Sequence, residues 1–121
     1  MARRLSMTRR LAYNRVLLTL HWLTLTDGYM VWDDDQGIAR AAGLSLAKTK
    51  TALRDLAEAE EIAVFVRNDG QRRLVLIDPD SNETALYIDV ALNTFRGTLT
   101  NHTPRITKLV EYVCSPEFWR A

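Results

Sequence analysis

Apolar positions near the start of the chain follow a helical period but are not confined to one side. From about residue 8 to 25, Leu11, Val16, Leu18, Leu20, Trp22, Leu23 and Leu25 cover most of a helix circumference, and Ser6 or Thr8 can cap its start. A surface helix of a monomer shows a single apolar stripe, so this one is expected to be central or shared with a second chain. Asp27-Gly28 ends it, and YMVW (29–32) fits a short strand. Next comes QGIARAAG (36–43), a short helix with Ile38, Ala39 and Ala42 inward. Gly43 supplies a turn, Leu44 plugs the angle, and Ser45 caps a helix over 46–59. In that helix Thr49, Ala52, Leu53 and Leu56 share one face.

The period then changes from helix to strand. IAVFVR (62–67) and QRRLVLID (71–78) flank Asn68-Asp69-Gly70, residues that tolerate positive φ, and so predict a hairpin. Alternation of Ile62, Val64 and Val66, with Leu74 and Leu76 opposite, fits two half-buried strands. Further on, Asp80 with Glu83 makes a capping signature after Pro79. Residues 84–96 read as helix, with either Leu86, Val90 and Leu92 or Ile88, Ala91 and Phe95 as the inner face, although TALYIDV also alternates as a strand would. TLTNHT (98–103) is expected to be a loop. Pro104 opens a last helix to about Cys114, with Ile106, Leu109, Val110 and Val113 inward, and Ser115-Pro116 stops it.

Composition narrows the classes of protein this can be. The chain has 121 residues, 47% of them hydrophobic, which suits one domain with its own core. A single cysteine, Cys114, rules out an intramolecular disulfide framework, and with His21 and His102 it makes no zinc set. The apolar run VLLTLHWLTL (16–25) is about half the length a bilayer needs, so no membrane association is expected. The basic start MARRLSMTRR has no small-residue cleavage site after its apolar run, which points to a cytoplasmic protein. No Ser/His/Asp, Cys/His, phosphate-loop or metal-ligand pattern is present, so neither an enzyme nor a bound cofactor is expected. Asp33, Asp34 and Asp35 would suit a metal, but carboxylates at a helix start more simply cap free N–H groups and complement the dipole.

Charge placement says more than the net +1. Residues 1–77 hold 12 Lys/Arg against 9 Asp/Glu, and the rest hold 4 against 6. The outer face of helix 46–59 carries Ala47, Lys48, Lys50, Thr51 and Arg54. Small residues allow close approach to base edges, Lys and Arg can bond guanine or phosphate, and a threonine methyl can touch thymine. Arg67, Arg72 and Arg73 flank the hairpin tip, where phosphate or minor-groove contact is possible; otherwise they serve to discourage edge pairing. An arm from Arg3 to Arg10, with Arg9 and Arg10 at its end, would add phosphate contacts.

The stretch GLSLAKTKTALRDLAEAEEIAV, followed by the hairpin, resembles the winged helix-turn-helix superfamily. The likeness spans about residues 8–78 and is nearest to MarR/GntR-type transcription regulators and to the N-terminal domains of phage and plasmid replication initiators. It implies a mainly α fold with a small β-hairpin wing (α+β) and additional C-terminal helices. It also implies double-stranded DNA as partner, read in the major groove by helix 46–59 and along the backbone or minor groove by the wing at 62–78. Helices outside the core usually make the dimer in that superfamily, which implies a homodimer through the first helix and the C-terminal helices. Three departures stand out. Glu60 and Glu61 occupy places where the family commonly has Gly and an aliphatic residue, so with Glu58 the helix ends in negative charge that should point away from phosphate. Thr49 replaces an aliphatic residue and is expected to pack less well. The outer face lacks Arg, Asn or Gln in its first two turns, so affinity should lean on phosphates.

The expected organisation is a basic arm (1–7), a winged helix-turn-helix domain (8–78) and a C-terminal helical extension (79–121) serving as a dimerisation element. The leading expectation is a small bacterial or phage transcription regulator. A protein-interaction adaptor is the alternative, motivated by the near-zero net charge and the acidic clusters, as is a replication- or partition-origin binder.

Overall fold

A computed structural model describes residues 5–27, 30–78, 81 and 83–120. Helix α1 (Met7–Asp27) is followed by strand β1 (Met30–Val31) and helices α2 (Asp35–Ala42) and α3 (Leu46–Glu58). Strands β2 (Ile62–Val66) and β3 (Arg72–Leu76) form the hairpin. Helix α4 (Glu83–Asp89) runs on into a π-helical turn (Val90–Thr94), then come β4 (Thr98–Leu99), α5 (Pro104–Val113) and α6 (Pro116–Arg120). The sheet is antiparallel, in the order β1-β3-β2-β4. The fold is therefore mainly helical α+β and winged-helix-like, with helices added after the wing.

The local signals act as their chemistry dictates. Asp34 caps α2 by accepting from the Gly37 N–H at 2.8 Å, the capping role expected of the aspartate triplet. Gly43 closes α2 in the left-handed region at φ 69°, and the Arg15 guanidinium lies against it, next to the negative end of the helix dipole. Ser45 Oγ caps α3 by accepting from Lys48 N at 3.2 Å. Thr49 is fully buried without an orphaned hydroxyl, because its Oγ1 donates to the Ser45 carbonyl at 2.9 Å. Polarity at this core position is thus absorbed inside the helix itself. Asp80 lies outside the described residues; the Glu83 N–H donates to Ser81 Oγ at 3.1 Å.

The sheet is buried on both faces, which differs from the half-buried hairpin expected from alternation. Ile62, Leu74 and Val31 join Val16, Leu20, Ile38 and Leu56 in one core. Ala63, Phe65 and Val75 form a second core with Ile88, Ala91, Phe95, Ile106 and Val113. The more deeply buried set on β2 is therefore the one out of phase with Val64 and Val66. In the C-terminal segment Ile88, Ala91 and Phe95 are the inner face, while Leu86 is exposed.

Residues 98–103, expected as a loop, contain a strand. Thr98–Leu99 pair with Val66 and Phe65 and extend the sheet beyond β2. The approach is possible because of Gly97: a Cβ there would meet the Phe95 ring at 2.8 Å and the Phe65 Cβ at 2.9 Å. Beyond β4, the Asn101 side chain accepts from Val64 N at 2.9 Å and donates to the Ile62 carbonyl at 2.8 Å and the Ala57 carbonyl at 3.2 Å. One amide thereby satisfies backbone groups of both β2 and α3.

Glu60 explains one departure from the family pattern. Its backbone is left-handed, at φ 62°, a conformation that favours glycine. Its carboxylate accepts from the N–H groups of Arg105 at 2.7 Å and Ile106 at 3.3 Å, at the start of α5. Partial burial opposes the charge, but the hydrogen bonds from these amides, helped by the charge of Arg105, outweigh it and hold the carboxyl below the ordinary glutamate range. Glu60→Ala keeps the strained backbone and loses the cap, with an expected cost of about 2 kcal/mol. Glu60→Gly relieves the strain and should cost about 1 kcal/mol less. Urea unfolding at neutral pH checks this ranking. A lowered folded-state pKa means stability present above the unfolded value of 4.5 and lost as pH falls through the folded one, so the Ala deficit should shrink in acid.

Candidate nucleic-acid interface

Helix α3 turns Thr49, Ala52, Leu53 and Leu56 inward, and the helical period leaves the opposite face to solvent. Ala47, Lys48, Lys50 and Arg54 are exposed there, with Thr51 half-buried beside them. Among the described residues, no ion pair engages Lys48, Lys50 or Arg54. The start of α1 lies alongside. Thr8, Arg9 and Ala12 border a shallow groove of about 300 Å³ with Ala47, Lys48, Thr51 and Ala52. Arg10 is exposed on the same first turns of α1. The structure thus brings most of the expected groove-reading residues onto one basic surface; Arg3 and Arg4 lie outside the described residues.

Arg9 has a different occupation from the one expected of it. Its Nε donates to Asp55 Oδ2 at 3.2 Å and its Nη2 pairs with Asp55 Oδ1. Asp55 sits in α3 with its side chain only 4% exposed, so the bidentate pair rivets the start of α1 to the middle of α3. The sequence signal was present but unread: a carboxylate between the core positions Leu53 and Leu56 requires a cationic partner.

The hairpin arginines are also held within the chain. Successive strand residues face opposite ways, which sends Arg72 toward α2 and Arg73 toward the C-terminal segment. Arg72 Nη1 donates to Asp35 Oδ1 at 2.6 Å and its Nη2 to the Asp33 carbonyl at 3.1 Å. Arg73 is buried, its guanidinium 3.8 Å from the centre of the Trp32 ring and 4.3 Å from that of Phe95. Burial, followed by the charge of Arg67, pulls its pKa down, with Asp69 opposing. Arg67 also lies over the Phe95 ring, 4.8 Å from its centre, and pairs with Asp69 at the tip. Its hydrogen bond to Asp69 raises the Arg67 pKa and, from the other side, lowers that of Asp69. Trp32 and Phe95, both read only as element positions in the sequence, are the ring partners of this cluster.

Among the described residues no group of three or more His, Cys, Asp or Glu could hold a metal ion, and no helix is long and apolar enough to cross a membrane.

The class these elements define is a winged-helix-like α+β fold with an added C-terminal layer. No protein-family model matches the chain, and no curated protein matches it. It is similar to a solved structure of the "N-Terminal domain of DNA binding protein", with 14% identity, 75% of this chain and 76% of that chain covered, and a TM-score of 0.47. What the surface does must accordingly be argued from its own side chains.

The Arg9–Asp55 pair gives a direct test of how the surface is assembled. Arg9→Ala strands a buried carboxylate and should destabilise the fold by about 3 kcal/mol, whereas Asp55→Asn, which removes that charge, should cost less. Denaturant unfolding of the two variants decides the order.

Proposed function

We propose that this chain binds double-stranded DNA, as a small winged helix-turn-helix regulator of bacterial or phage type acting as a homodimer. The observation that carries this reading is the outer face of α3. Lys48, Lys50 and Arg54 project from it without an internal ion pair among the described residues. Exposed cations grouped on one helix face suit an anionic partner, and small residues between them allow close approach to a groove. In this reading Lys50 and Arg54 meet base edges or phosphates in the major groove, Thr51 presents its methyl, and Ala47 gives room. Arg67 at the hairpin tip contacts backbone by exchanging Asp69 for phosphate. Arg9, Arg72 and Arg73 hold the reading surface in shape and touch DNA little. No catalytic step and no cofactor enters.

A second reading, a protein-interaction adaptor, is favoured by one feature. Exposed Trp32, fixed on Arg73, stands with Asp33, Asp34 and Asp35 around a groove of about 460 Å³ that would repel phosphate. Origin binding for replication or partition uses the same DNA-binding face and is separated from regulation by the arrangement of binding sites in the genome.

Lys50→Ala should weaken binding to a selected duplex by about 1–3 kcal/mol, and Arg54→Ala similarly, in fluorescence anisotropy. Wild-type affinity should fall by orders of magnitude from low to moderate salt. Salt-insensitive retention of a stoichiometric protein, with no affinity for mixed duplexes, would favour the adaptor.

A further inference from the structure

Helix α1 has two apolar faces, and the fold uses only one. Val16, Leu20, Ala12 and Leu23 enter the core. On the opposite side Met7, Leu11, Leu18, Trp22 and Leu25 remain exposed, Leu18 at 70% and Leu25 at 84%. At 3.6 residues per turn these five fall within about 60° of arc, in a stripe about 27 Å long. Leu11, Leu18 and Leu25 recur at heptad spacing, the repeat that lets one helix lie along another. The five side chains expose on the order of 700 Å², close to the roughly 800 Å² that each partner contributes to a standard stable interface.

We infer that α1 pairs with α1 of a second copy of this chain, antiparallel, with Leu18 at the two-fold axis. The three leucines of the stripe, Leu11, Leu18 and Leu25, are spaced symmetrically about Leu18 and so are self-complementary under such an axis, as an isologous contact requires. Leu11 then meets Leu25 of the partner subunit, and Leu18 meets its own equivalent. Charge selects the direction. Arg9, Arg10 and Arg15 all lie in the first half of the helix, and residues 16–25 carry no charged side chain other than His21 if protonated. A parallel pair would set these basic halves side by side, whereas an antiparallel pair sets each against the neutral half of the other and also opposes the helix dipoles. The exposed aromatics at the far end of the chain form no comparable stripe, since Phe118 is stacked edge-on between Tyr112 and Trp119. The inference specifies the dimeric part of the proposed function and does not depend on DNA.

The test is disulfide trapping in the full chain without DNA, in a Cys114→Ser background that removes the native thiol. Leu18→Cys should cross-link to a dimer under mild oxidation. Leu11→Cys alone and Leu25→Cys alone should not, because equivalent positions lie about 20 Å apart in this pairing and a disulfide needs Cα atoms within about 7 Å. Mixing Leu11→Cys with Leu25→Cys protein should give the mixed dimer. Each site is exposed, so folding is expected to survive, and circular dichroism of the reduced proteins verifies it. Sedimentation of the unmodified protein at tens of micromolar should give twice the chain mass, and Leu18→Glu should halve it. A monomer at that concentration overturns the pairing, and cross-linking of Leu11→Cys and Leu25→Cys each with itself overturns its direction. Either result leaves DNA binding to be judged on its own measurements.

Discussion

The β2–β3 hairpin is apolar on both faces, and most of the architecture follows from covering them. One face is closed by α1, α2 and α3 through Ile62 and Leu74. The other presents Ala63, Phe65 and Val75, which would be wet on a free wing; α4, its π-helical turn and α5 cover it. Burying a large aromatic such as Phe65 contributes about 2–3 kcal/mol, which is a large share of a small domain's net stability. The polar links between layers serve the same closure. Glu60 joins the end of α3 to the start of α5, and Asn101 joins the segment after β4 to β2 and α3. The C-terminal segment is therefore part of the same folded body as the helix-turn-helix, whatever further surface it offers.

That closure redistributes the positive charge. A hairpin covered on both sides cannot present all its arginines to solvent, so Arg72 is drawn to Asp35 and Arg73 is sandwiched between Trp32 and Phe95. Arg9 is drawn to Asp55. Lys48, Lys50 and Arg54 on α3 have no ion pair among the described residues, and neither have Arg40, Arg96, Lys108 and Arg120 elsewhere on the surface. A nearly neutral chain can still offer a local cationic face, and local charge is what governs contact with phosphate.

Much of the fold was legible in the sequence because local chemistry and tertiary structure agree there. Asp34, Gly43, Ser45 and Pro104 mark helix ends by capping and backbone preference, and they do so in the structure. The first helix was readable as apolar on two sides, and one of those sides is left exposed. What could not be read depends on contacts far apart in the chain. β4 is only a two-residue strand, formed because Gly97 lets the backbone approach Phe65. The role of Glu60 depends on an α5 that begins 44 positions later. The outward residues of α3 followed from helical period alone, but the partners of Arg9, Arg72 and Arg73 did not. The two-residue strand period already implied that Arg72 and Arg73 face opposite ways; only the structure shows that each meets a partner there.

In the proposed DNA-binding role the cationic face of α3, not the hairpin, makes the principal contact with the duplex. Backbone amide NMR of the protein, titrated with a binding duplex, tests it most directly. The largest shift changes are expected at residues 47–54 and at residues 8–12 beside them, smaller ones at the 67–71 tip, and little change across 84–119. Changes confined to Trp32 and the Asp33–Asp35 turn, or to the C-terminal helices, with α3 silent, would contradict it.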